Sequence, residues 1–525
     1  MRVATLLRSG VIVPHGSTRR AALALAACLV AAGAARASAQ SKPPLVVAVG
    51  ADTVALDPHK VSGGNDYLFF ANVFEGLYAH DEEGNLVPAL AESAKASADG
   101  LTYDVALRPT AKFHDGSPVT SEDVRYSWQR AISPQIRNPR ASILVANIAE
   151  IETPDPRHVR IKLKKRDAAF LENSAEFWYI VPKKYTESVG AEAFAKKPIG
   201  TGPFQFVEHR TKEFIKLRGF EQHWGRVPKV SDLTIKIVPD DQTRIAQVQT
   251  GEADIVANVP PFLAARFEKM PKLTIIRAPS YQNIFITLHA TANPILAKKE
   301  VRRALNMAID KDALMQTAML RYGSRQEAPC TIGITGCDAK VAPYGFDPKK
   351  AREMLQKAGF DFNKPLKFVG LAPGRTPQSK EIVEGVAYFL KQIGVNSEIS
   401  TLEYGAWLAM YGAKEKDKSV DLFFTTFTDY NSDSFARLTR SVGTGGVFSW
   451  FSNPTLDAMI SNMNDTSSAD DRAATARKVF QAVHEEAPFI TLWSADSLYA
   501  VSKNIRWKPT RAVSWPVLWN VEKNK

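Results

Sequence analysis

Cysteine is nearly absent from this chain, three in 525 residues, which excludes a disulfide-built scaffold or a multi-cysteine zinc module. Catalytic punctuation is missing too. There is no H-E-x-x-H, no G-x-S-x-G and no P-loop, and the histidines beyond residue 39 (59, 80, 114, 158, 209, 223, 289 and 484) form no i, i+4 pair. No apolar run reaches the roughly 20 residues that span a bilayer. Basic residues never cluster for long, the longest run being Lys162 to Arg166 (KLKKR), so the basic face and recognisable module of a nucleic-acid binder are lacking. These absences leave a chain that is expected to bind a small molecule: not an enzyme, with no metal, no cofactor and no nucleic-acid partner.

What is present begins with an export signal. Residues 1–39 carry five arginines (2, 8, 19, 20 and 36) and neither lysine nor acid. Arg19-Arg20 is followed by the apolar segment Ala21–Ala32 and by Ala37-Ser38-Ala39, the small-residue pattern that a signal peptidase cuts. The expected product is an exported, periplasmic chain starting near Gln40. Leu25-Ala26-Ala27-Cys28 is an alternative lipoprotein box that would anchor the protein through a lipidated Cys28, and Ser17–Arg20 offers a weak twin-arginine reading. Removing the signal takes the formal charge from +12 to +7, with both signs interspersed. Only Cys330 and Cys337 then remain, in a loop with Pro329, Gly333 and Gly336. In an oxidising compartment they are expected to pair; a zinc site would need more ligands, and no histidine lies between His289 and His484.

Along the mature chain, Leu45–Gly50 (LVVAVG) reads as a buried strand, and Asn72–Tyr78 (NVFEGLY) as the end of a helix. Tyr103, Val105 and Leu107 alternate as a half-buried strand, and Thr120–Asp123 is a capping box opening a helix. Val301, Ala304, Leu305, Ala308 and Ile309 share one helical face. Asp347, Pro348 and Gly359 bracket a second helix, and Ile382, Val386, Phe389, Leu390 and Ile393 mark a third, closed by Gly394. Helices alternating with strands such as Leu366–Val369 and Leu422–Phe424 predict α/β organisation. The stretch Val420–Phe435 (VDLFFTTFTDYNSDSF) delivers an acid, a phenol and an amide just past an apolar strand, where α/β folds place ligands, although Asp, Asn and Ser are also ordinary turn formers.

Eight stretches in order carry a family resemblance. VFEGLY, LVPALAES and KFHDGSPVTSEDVRYSWQR are followed by IGTGPFQF, GEADIV, VRRALNMAID, DPKKAREMLQKAGF and APFITLW. Together they resemble the extracellular solute-binding proteins of family 5, the dipeptide- and oligopeptide-binding proteins of ABC importers. The resemblance implies a two-lobed periplasmic-binding-protein fold of type II, with an extra subdomain in lobe one and two hinge crossovers. The implied boundaries are a signal peptide at 1–39, lobe I at 40–73, the inserted subdomain at 74–198 and lobe I again at 199–284. Lobe II would span 285–488, with a return to lobe I at 489–525 and crossings near Tyr281–Leu288 and Pro488–Trp493. The implied role is capture of a small solute, most readily a short peptide, by a monomer that delivers it to an inner-membrane ABC permease. Relatives also take opines, oligosaccharides, glutathione or metal chelates.

The same resemblance suggests where the ligand is held. Asp429 matches the aspartate that pairs with a ligand's α-ammonium in dipeptide binders, and Arg375 the arginine that pairs with its carboxylate. Tyr430 and Asn431 adjoin Asp429, while Asp52, Val54 and Ala55 occupy the stretch that lies beside the ligand backbone in oligopeptide binders. Phe427, Thr428 and Ser432-Asp433 depart from the usual peptide-binder residues at their positions.

Overall fold

A computed structural model describes residues 42–53, 55–60, 66–136, 147–167, 169–331, 333–372, 376, 378–428, 434–466, 469–509 and 517–524. Two strands organise it: Leu273–Leu288, of 16 residues, and Phe489–Ser502, of 14. They pair antiparallel, but the register breaks between Pro279↔Asp496 and Asn283↔Ser494. On one side of that break Ala278, Tyr499 and Val501 enter one hydrophobic core. On the other side Ile284, Ile286, Ile490, Leu492 and Trp493 enter a second. One continuous pair of strands thus serves two separate cores, and the chain folds as two lobes joined by two crossovers.

In lobe I, Leu45–Val49 lies parallel to Asp232–Ile237 and to Ile255–Val256, and the latter pairs with Ala500–Val501 of the return strand. The hairpin Phe204–Arg210 and Phe214–Gly219 completes this half of the sheet. In lobe II, Leu422–Thr428 runs antiparallel to the far half of Leu273–Leu288 and parallel to Leu366–Leu371, which pairs in parallel with Ser397–Leu402. Parallel strands covered on both faces favour continuous apolar runs, as in Leu422, Phe423 and Phe424, all fully buried. Strand pairing on both sides of the register break joins the two halves into one sheet of 11 strands.

The extra subdomain has its own four-stranded antiparallel sheet, ordered Ala91–Ala96, Thr102–Leu107, His158–Leu163, Ile148–Asp155. Its helix Ser121–Ile132 begins as the capping box predicts: the Asp123 carboxylate accepts from the Thr120 N–H at 2.8 Å and hydroxyl at 2.6 Å. The helical faces read from periodicity are buried, Val301, Ala304, Leu305 and Ala308 in Lys299–Met307 and just beyond it, Ile382, Val386 and Leu390 in Ser379–Gln392. The crossovers extend further into lobe I than their apolar ends suggest. Leu273–Pro279 interrupts its apolar residues with Thr274 and Arg277, a half-exposed pattern without a long apolar run.

Cys330 and Cys337 are disulfide-bonded, with Cα atoms 5.7 Å apart. Their loop packs on the register break: Ile334 contacts Tyr281, and the Asn283 amide donates to the Thr331 hydroxyl at 2.6 Å. Among the described residues no helix is long and apolar enough to cross a membrane. The export signal and Cys28 lie outside the described residues.

Candidate functional site

In lobe II the two adjacent parallel strands Leu366–Leu371 and Leu422–Thr428 end on the same side of the sheet. The second is fully buried as far as Thr425 and half-buried from Thr426 to Thr428, so it emerges from the core towards the segment that follows. Arg375 follows the first strand and Asp429, Tyr430 and Asn431 the second; all four lie outside the described residues, as does Val54. Their described neighbours carry unusual polarity. The hydroxyls of Thr376, Ser379 and Ser434 are buried and find no hydrogen-bond partner among the described residues. A buried hydroxyl without a partner is costly; these three, among others elsewhere in the fold, lie in the segments that follow the two strands. Sequence reasoning passed over them, because Ser and Thr are ordinary turn and loop residues.

Phe427 packs edge-on to Phe448 at 5.9 Å, with the Arg437 guanidinium 4.8 Å from its ring centre. Trp407 donates its indole N–H to the Phe424 carbonyl at 2.9 Å, fixing the strand just before it emerges. These contacts make the surroundings of the strand's end aromatic.

Lobe I contributes the segment after Leu45–Val49. The Asp52 carboxylate accepts from the backbone N–H of Thr53 and of Lys212, each at 2.8 Å, and His209 Nε2 lies 3.1 Å from both of its oxygens. Lys212 holds a left-handed φ of 65° in the turn of the hairpin, a conformation that costs a non-glycine residue about 1 kcal/mol and that the charge-assisted bond from Asp52 offsets. Asp52 is therefore committed to pinning that hairpin, with little acceptor capacity left. The Thr53 hydroxyl lies 2.5 Å from Asp66 Oδ1 and 2.9 Å from the half-buried Ala55 carbonyl, so its single proton is shared between them. A small cavity opens here, between Asp52 and Thr53 on one side and Leu68, Phe69, Ile215 and Ile235 on the other. His209 and Lys212 left no trace in the sequence, standing about 160 residues from their partner.

His59 and His114 are structural. Asp57 forms a bidentate pair with Arg130 at 2.5 and 2.9 Å, all of it buried. Burial opposes ionisation of Asp57, but the Arg130 hydrogen bonds and charge outweigh it and hold the pKa below the usual range. Burial, with the Arg130 charge, lowers His59 to about 4. The ring is neutral, so Nε2–H donates to the Tyr179 carbonyl at 2.9 Å and Nδ1 accepts from Arg130 at 2.9 Å. Burial likewise holds His114 at about 4; its Nε2–H donates to the Gly202 carbonyl at 2.9 Å while Nδ1 accepts from the Gly200 N–H at 3.3 Å. Those two glycines are required by close approach. A Cβ at Gly200 would lie 2.0 Å from the Val73 carbonyl oxygen, and one at Gly202 2.7 Å from the Val73 carbonyl carbon. Among the described residues no group of three or more His, Cys, Asp or Glu could hold a metal ion.

Comparison with known proteins agrees with this geometry. The profile of the "Bacterial extracellular solute-binding proteins, family 5 Middle" matches residues 85–449. The chain is 30% identical over 492 residues to the glutathione-binding protein GsiB of Pectobacterium atrosepticum, covering 91% of this chain and 94% of that one. Among solved structures, an ABC transporter-associated periplasmic binding protein, DppA of Helicobacter pylori in complex with the peptide STSA, superposes with a TM-score of 0.78 at 24% identity, covering 92% of this chain and 98% of that one. The ABC transporter substrate-binding protein CtaP of Listeria monocytogenes superposes with a TM-score of 0.83 at 22% identity, over 93% of this chain and 100% of that one.

Proposed function

The chain belongs to the bacterial extracellular solute-binding proteins of family 5, and from that premise we propose that it is the receptor of an ABC importer for short peptides, with glutathione the first to test. It captures its ligand between the lobes, turns nothing over, and hands the cargo to an inner-membrane permease as a periplasmic monomer released by cleavage after Ala39. The observation that carries the ligand class is the end-to-end likeness to a glutathione-binding protein, itself a receptor for a tripeptide. Chemistry supports it. A guanidinium from Arg375 and a carboxylate from Asp429, which follow two adjacent parallel strands in sequence, suit a ligand with a carboxylate at one end and an ammonium at the other. The partnerless hydroxyls of Thr376, Ser379 and Ser434 suit a peptide backbone between those ends. Tyr430, Asn431 and the segment Asp52, Val54 and Ala55 complete the reading, the latter through backbone groups since the Asp52 carboxylate is engaged.

Isothermal titration calorimetry with reduced glutathione and with di- and tripeptides tests it. Binding is expected, and Asp429→Asn and Arg375→Ala are each expected to weaken it by about 3 kcal/mol or more, since either change leaves a buried charge unpaired. If glutathione and peptides are ignored while an opine or a metal chelate released from the native protein binds, the peptide reading falls and the receptor reading stands.

A further inference from the structure

The crossover strands are not the sole bridge between the lobes. Asn464, in the last turn of the lobe II helix Pro454–Asp465, donates its side-chain amide N–H to the backbone carbonyl of Arg166 in the inserted subdomain at 3.0 Å. Asn464 Oδ1 is buried and has no partner among the described residues, so this bond is the one the carboxamide makes there. Both sides of the contact are built.

On the subdomain side, Arg166 follows strand His158–Leu163, and its side-chain Cγ lies 3.2 Å from where a Cβ on Gly100 would stand. Gly100 holds a φ of 69° in the neighbouring turn, so the Arg166 side chain occupies room that only glycine leaves free. Asp167 next to it accepts from the Ala169 N–H at 3.0 Å and from the Tyr103 hydroxyl at 3.3 Å through its carbonyl, which anchors the segment to the sheet and to the following helix. On the lobe II side, Arg472, almost fully buried, donates to the Met463 carbonyl at 2.9 Å and so ties the next helix to the residue preceding Asn464. The two sides sense each other. Burial, helped by Asp167, raises the Tyr103 pKa, while the charges of Arg166 on its own lobe and of Arg472 on the opposite lobe pull it down.

We propose that the inserted subdomain is a closure latch, in which Asn464 engages the Arg166 carbonyl to hold lobe II against lobe I and so sets the balance between open and closed forms. This assigns the subdomain a positioning role that none of the proposed ligand residues performs. It depends on the two-lobed fold and not on which ligand is carried.

Small-angle X-ray scattering of the ligand-free, full-length mature protein tests it. Asn464→Asp keeps the shape, removes the donor and sets a carboxylate against a carbonyl; Asn464→Gln keeps the donor. Asn464→Asp is expected to shift the open-to-closed ratio about two- to tenfold towards open, read as a larger radius of gyration, with Asn464→Gln restoring the wild-type curve. The thermal unfolding midpoint separates the alternatives. Superimposable scattering from all three proteins, or a lower midpoint with unchanged scattering, would make Asn464 a local structural residue and overturn the latch.

Discussion

Burial holds the His59 and His114 imidazoles at about 4, where an unfolded chain would protonate them near the ordinary 6.5. Between those values the unfolded state binds more protons than the native state, so stability is present above about pH 6.5 and is lost as pH falls towards 4. Each histidine contributes up to about 1.4 kcal/mol per pH unit in that window. The thermal unfolding midpoint is therefore expected to fall as the pH is lowered from 7 to 4.5, and His114→Asn to flatten the slope by about half. An undiminished slope in both His114→Asn and His59→Asn would move the pH dependence to other groups. At this scale the sequence was uneven. The capping box at Thr120 was readable because its partner, Asp123, stands three residues away. The bond from Asp52 to His209 was not, because nothing local in either segment announces a partner in a different hairpin. Arg375 and Asp429 came from family resemblance, and their side chains lie outside the described residues.

Elements were more legible where their environment is uniform along their length. Lys299–Met307 and Ser379–Gln392 each bury one stripe, so a 3.6-residue period exposes them. Leu422–Phe424 is buried on both faces, so it reads as an apolar run. The crossover strand Leu273–Leu288 changes environment midway, from a half-exposed stretch in lobe I to a buried one in lobe II, and only the buried half was visible. That midpoint is where the disulfide loop matters. The sequence predicts the pair Cys330–Cys337 but not its neighbours: Ile334 against Tyr281 and Thr331 against Asn283 seat the loop on the register break. The double variant Cys330→Ser/Cys337→Ser is expected to lose about 2–3 kcal/mol of stability. It should also raise amide hydrogen exchange both in residues 328–338 and in Tyr281–Asn283. Faster exchange confined to the loop would show that the bridge does not brace the crossover.

The two lobes differ in how the chain supplies them. Lobe II draws its core from Ile284 to Ala495, a continuous stretch. Lobe I draws on Leu45–Ala278 and then waits for Tyr499, Val501, Leu518 and Val521. Its tail is fastened late as well: Leu518 N–H donates to Asn72 at 2.9 Å, and the Lys523 ammonium reaches both Asp254 at 2.9 Å and the Pro44 carbonyl at 3.0 Å. In refolding followed by pulsed hydrogen exchange, amides of Leu422–Thr428 are expected to gain protection before those of Ile255–Val256, whose sheet neighbour is the return strand. Simultaneous protection would mean that the lobes fold as one cooperative unit.

The return strand therefore has a temporal meaning as well as a spatial one. A chain emerging amino end first, from a ribosome or a translocation pore, presents most of lobe I long before the strand that closes its sheet. For that interval Ile255–Val256 and Leu273–Pro279 are unpaired edges, open to pairing with other chains and in need of shielding by a chaperone. Lobe I can therefore close its sheet only once Phe489–Ser502, more than 200 residues beyond Leu273–Pro279, has followed.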